Sequence, residues 1–161
     1  TITQTYQFGF IFTTILMVPM LGIPLALRFR YNRSGWDISE RRDRPKAIVA
    51  LLVLGLVTIF ITGFWGYTNL VRLFVMYEVW MAGYLGISLF WKISGHAGGI
   101  TLATGLIIIW YGWTWWPLLL LIPLTGWARV VTKNHTVGQV IAGTLYSWIL
   151  LRGYEAWASI L

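Results

Sequence analysis

Between Ala47 and Leu151 the only charged residues are Arg72, Glu78, Lys92, Arg129 and Lys133, and long apolar runs lie between them. Water solvates such runs poorly, and lipid cannot satisfy an unpaired peptide group, so a chain of this kind is confined to helices that pair their own backbone. With 58% hydrophobic and 11% charged residues and a mean hydropathy of +0.71, it has too little polar surface for an ordinary soluble domain. The expected fold is an all-α integral membrane protein, a six-transmembrane-helix bundle forming one domain over residues 1–161.

A spanning helix needs about 20 mostly apolar residues, and six candidates follow one another. They run from about Tyr6 to Arg28 with kinks at Pro19 and Pro24, Ala47 to Tyr67, Leu70 to Trp91, Ala97 to Trp113, Pro117 to Val131, and His135 to Arg152. Proline suits a first helical position, which sets the start at Pro117. The opening Thr1–Thr5 lacks the basic region and small-residue cleavage site of a secretory signal, so the first run reads as a retained helix.

The chain has no cysteine, which excludes disulfides and thiolate metal sites. A net charge of +7 would suggest nucleic acid on a soluble protein, but seven of the twelve basic residues sit in the single segment Arg28–Lys46. That pattern reads as membrane topology, with membrane lipids as surroundings and no nucleic-acid partner. Six crossings put the loops after the first, third and fifth spans on one side and leave Arg72 and Arg152 on the other. The positive-inside rule makes the richer side cytoplasmic.

Other residues read as membrane architecture. Trp65, Trp91, Trp113, Trp115, Trp116 and Trp157 fall near helix ends, as an interfacial girdle does. Glu78, midway along the third span, is expected to face the protein interior or to stay protonated. The small pairs Ala82 with Gly86 and Gly99 with Ala103 are spaced for close helix packing.

Three polar breaks share the basic side: Arg44-Pro45; Lys92-Ile93-Ser94-Gly95-His96; and the stretch from Arg129 through His135 to Gln139. A phosphate needs cations, backbone N–H groups at a helix start and, for hydrolysis, a nucleophile and an acid for the leaving group. Gly95, Gly98 and Gly99 allow close backbone approach to an anion at a helix N-terminus. His96 and His135 are the only imidazoles in the chain.

Arg44-Pro45, Ser94-Gly95-His96 and Arg129-x5-His135 resemble the three signature motifs of the type 2 phosphatidic acid phosphatase superfamily, which includes membrane lipid phosphatases and prenyl diphosphate phosphatases. The resemblance implies that His135 attacks phosphorus and becomes a phosphohistidine, while His96 protonates the departing alkoxide. Arg44, Ser94, Gly95 and Arg129 would hold the phosphoryl oxygens, with no metal and no cofactor. The implied substrate is a lipid or isoprenoid phosphate or diphosphate, and the implied setting is a bacterial inner membrane.

The chain departs from the family pattern at Asp37, where a lysine is usual, at Ile93 and Ala128, where proline and serine are common, and at Gln139, where an aspartate is normal. Gln139 shares a helical face with His135 and can accept its hydrogen bond, but it brings no charge. The chain therefore reads as a slow phosphatase, a glutamine-using subfamily, or a retired enzyme. Two further readings stay open: a non-catalytic subunit of a respiratory or photosynthetic complex, and a lipid-phosphate binder or transporter. Many bacterial relatives act on the outer face, so the side of the membrane is open as well.

Overall fold

The computed structural model describes residues 44–160, with side chains from 48 to 157. The first candidate span, most of the basic segment, Asp37 and the side chain of Arg44 lie outside the described residues. The described chain is all helical: α1 (Arg44–Phe64), α2 (Thr68–Phe90), α3 (Gly95–Tyr111), a 3-10 helix (Trp113–Leu120), α4 (Leu121–Val131) and α5 (Val137–Ile160). It divides into two compact units between Phe74 and Val75.

Of the described helices, α2 is long and apolar enough to cross a membrane, whereas Ile48–Phe64, the part of α1 whose side chains are described, and α3 are shorter. The 17 residues of α3 reach about 25 Å at 1.5 Å per residue, against a hydrocarbon core of about 30 Å. The expected six-crossing bundle is thereby narrowed to an all-helical chain with one qualifying span among the described residues. Its outside is apolar: Phe60, Phe64, Phe90, Trp127 and Ile149 are exposed, as are all six tryptophans of the expected girdle.

In the first unit, α1 ends in a Schellman turn. Gly66 donates to the Gly63 carbonyl and Tyr67 to the Thr62 carbonyl, both at 3.0 Å, with Gly66 at φ +75°. Glycine takes this left-handed position without the Cβ clash that other residues meet.

In the second unit, α3 lies along α5, and α4 packs on both. The fifth span begins differently from expectation. Gly112 (φ +91°) stops α3, and Trp113–Leu120 forms a 3-10 helix containing Pro117. In an α-helix that proline would clash with the carbonyl four residues back and lose a bond. The α-helix resumes only at Leu121, with Pro123 in its first turn, where a missing N–H costs nothing. At the other end, α5 extends to Ile160 rather than stopping at Arg152, with Leu151 and Tyr154 buried and Arg152 paired to Glu155 one turn on.

Among the described residues, close helix packing uses different small residues from those expected. Ala82 and Ala103 are exposed, and Gly86 and Gly99 face open space among the described residues. The close approaches fall instead at Gly98, against Trp80 and Ser147, at Gly105, against Leu151, and at Gly143, against the Ser94 backbone. Trp80 Nε1–H donates to Ser147 Oγ at 2.8 Å, which donates to the Gly143 carbonyl at 3.0 Å. The Tyr146 hydroxyl donates to the Trp80 carbonyl at 2.9 Å.

A Cβ on Gly143 would overlap the Ser94 carbonyl oxygen, a backbone atom that cannot swing aside. Gly143→Ala is expected to cost about 1–3 kcal/mol through overpacking, whereas Gly99→Ala gains up to about 1 kcal/mol of helix propensity. Thermal unfolding in detergent separates the two, and equal midpoints would contradict this packing.

Candidate functional site

The chain leaves α2 through Trp91–Ile93, and Ser94 opens α3. Ser94 has extended backbone angles (φ −84°, ψ 103°), and its Oγ accepts from Ala97 N–H at 3.3 Å, as an N-cap does. Its carbonyl accepts from Gly98 N–H at 3.1 Å. Ser94 is wholly buried, Gly95 is half-buried, and His96, in the first turn of α3, is exposed.

The other end of the site is a second Schellman turn, at the end of α4. Lys133 N–H donates to the Val130 carbonyl at 2.9 Å and Asn134 N–H to the Arg129 carbonyl at 3.1 Å. Here the left-handed residue is Lys133, at φ 56°, a conformation that costs a non-glycine residue about 1–2 kcal/mol. A cationic residue just beyond the C-terminus of α4 suits the helix dipole and offsets part of that. The Arg129 carbonyl also accepts from His135 N–H at 3.1 Å. The six-residue step from Arg129 to His135 is thus fixed by a helix stop, and both residues ride on one turn. Arg129 is half-buried and His135 is buried.

α5 then starts with a capping box, Thr136-Val137-Gly138-Gln139. Gln139 N–H donates to Thr136 Oγ1 at 3.3 Å, and Thr136 N–H donates to Gln139 Oε1 at 3.1 Å, a reciprocal pair. The same Oε1 lies 3.2 Å from His135 Nδ1. A peptide N–H can only donate, so the atom that meets it is the amide oxygen and not the amide nitrogen. His135 Nδ1 facing that oxygen must carry a proton, which leaves Nε2 of the neutral ring with its lone pair.

Gln139 joins the two turns. Its carbonyl accepts from Ser94 N–H at 3.0 Å, while its side chain holds His135. One turn further along α5, Gly143 lets the Ser94 carbonyl lie against the helix. The structure therefore brings Ser94, Gly95, His135 and Gln139 together, with His96 two residues beyond the Ser94 cap and Arg129 on the turn that carries His135. Arg44 is the first residue of α1, in the other unit, and its side chain lies outside the described residues.

Sequence reasoning missed four contributors. Thr136 was legible, because Thr-x-x-Gln before an apolar run is a capping-box pattern. Gly143, Trp80 and Tyr84 were not, since their roles depend on how the helices are rotated. A Cβ on Gly95 would stand 2.8 Å from the Tyr84 hydroxyl, and one on Gly98 would stand 3.1 Å from the Trp80 indole. Both glycines make room for rings of α2, a role beside the expected approach to an anion.

Over 56 residues the chain is 45% identical to the Lipid A 4'-phosphatase of Helicobacter pylori, a stretch covering 34% of this chain and 28% of that protein. No family model matches the chain, and no solved structure matches it significantly. The comparison thus shows a local likeness, across less than a third of the relative's length, to a phosphatase named for a lipid.

Proposed function

We propose that the chain is a multi-pass phosphatase of a bacterial inner membrane, a single six-helix domain of the type 2 phosphatidic acid phosphatase superfamily. It removes phosphate from a lipid or polyprenyl phosphate or diphosphate. The observation that carries this reading is the double use of Gln139, whose carbonyl holds the Ser94 turn while its amide oxygen holds His135. The likeness to a lipid A 4'-phosphatase supports a phosphorylated lipid as substrate, its acyl tails in the bilayer and its head in the site.

In this reading His135, oriented by the contact of Nδ1 with Gln139, attacks phosphorus through Nε2. The bond from phosphorus to the lipid oxygen breaks, and that oxygen leaves with a proton from His96, whose exposure suits exchange with water. Water then attacks the phosphohistidine, His96 takes its proton, the P–N bond breaks and inorganic phosphate departs. The Ser94 hydroxyl accepts from Ala97 with a lone pair and so keeps its own proton for a phosphoryl oxygen. Gly95 sits at the positive end of the α3 dipole, and Arg129 supplies a full charge.

One feature favours a second reading, a lipid-phosphate binder without turnover. The neutral amide of Gln139 orients His135 but supplies no charge to stabilise the imidazolium that forms.

Two variants separate the readings in assays of phosphate release from a phosphorylated lipid A, phosphatidic acid and a polyprenyl diphosphate. His135→Asn keeps an N–H for Gln139 but removes the nucleophile, and its rate is expected to fall at least about a hundredfold. A rate equal to the parent's ends the phosphohistidine assignment, and a parent that binds these lipids without release supports the binder. Gln139→Glu keeps the capping box and places a carboxylate beside His135. It is expected to accelerate release about tenfold or more by favouring the imidazolium, and an unchanged rate in the folded variant would show that charge at 139 is immaterial.

A further inference from the structure

Tyr84 belongs to none of the three motifs, yet its hydroxyl lies against the place where a Cβ on Gly95 would stand. That position is 2.8 Å from the hydroxyl oxygen and 3.0 Å from the ring carbon bearing it. Along a helix the Cα–Cβ bond tilts toward the N-terminus. An atom in the Cβ position of the first residue of α3 therefore stands at the N-terminal rim of that helix, the end whose N–H groups and dipole face an anion.

The phenol is held there from behind. Tyr84 stacks on Trp80, one turn earlier on the same face of α2, with ring centroids 5.5 Å apart and planes at 11°. Trp80 is buried and clamped by its indole N–H to Ser147 of α5. The ring's neighbours are thus packed and bonded, while Tyr84 itself is only half-buried.

We propose that Tyr84 is a further binding residue of the site, its hydroxyl donating a hydrogen bond to a phosphoryl oxygen of the ligand. This rests on the phosphatase reading of the same site and extends it to a residue on α2. Tyr84 then couples the phosphate to the Trp80–Ser147 contact, so that α2, α3 and α5 all report on occupancy.

The test uses the full chain in detergent with inorganic phosphate as probe. Tyr84→Phe removes only the oxygen and keeps the stack on Trp80, so its melting temperature is expected to match the parent's. Its dissociation constant for phosphate is expected to rise about ten- to a hundredfold, the usual range for a lost hydrogen bond to a charged group. A second readout needs no variant: saturating phosphate is expected to slow nitration of Tyr84 by tetranitromethane but not that of Tyr111, at the other end of α3. An unchanged dissociation constant in Tyr84→Phe, or nitration of Tyr84 indifferent to phosphate, overturns the proposal. A parent that binds no phosphate overturns it together with the reading of the site, whereas full activity in His135→Asn removes the phosphohistidine chemistry and leaves the Tyr84 result standing.

Discussion

A backbone hydrogen bond from Ser94 N–H to the Gln139 carbonyl, 3.0 Å long, ties two turns that lie more than forty residues apart in the chain. A bond of this kind is worth only about 1 kcal/mol net, but here it sets position as well as stability. It places the first turn of α3 beside the first turn of α5. The contact can close only because Gly143 has no side chain where the Ser94 carbonyl rests. With this seat in place, the cap of α3, the imidazole of His135 and the amide of Gln139 occupy one locality.

The two Schellman turns reach the same geometry with different residues. The same pair of bonds closes α1 and α4, with Gly66 in the left-handed position in one and Lys133 in the other. The strained choice falls in the turn that carries Arg129 and His135, where a cation near the helix end has its own value. The capping box that follows fixes the histidine tautomer without a carboxylate. Thr136 N–H settles which end of the Gln139 amide faces inward, and the amide oxygen settles which nitrogen of His135 carries the proton. Glutamine at this position thus keeps the orienting half of the task that an acid would perform and omits the electrostatic half.

Local features of the sequence translated well into structure. The polar break at Ser94 is a helix cap, and the tryptophans near helix ends are exposed. His135 and Gln139 do meet, but across the capping box, with His135 on the turn before α5 and not on a helical face shared with Gln139. Features that depend on rotation and register did not translate. The small pairs Ala82 with Gly86 and Gly99 with Ala103 have the right spacing but face away from the described helices, because spacing defines a face without saying which way it points. Tyr84 could not be found from sequence for the same reason, since its contact with Gly95 crosses a turn and depends on how α2 is wound. The fifth span failed through its prolines. An apolar run of suitable length reads as one helix, but an α-helix begun at Pro117 would hold Pro123 in its interior, and the α-helical start falls instead at Leu121, after a 3-10 stretch.

The central claim is that these turns make a centre in which His135 Nε2 meets phosphorus. It is tested most directly by stopping the protein with alkali during turnover of a lipid phosphate and mapping modified peptides by mass spectrometry. Phosphate on His135, stable in alkali and lost in acid, is the predicted result. Steady release of inorganic phosphate from a chain whose His135 never carries phosphate would contradict it.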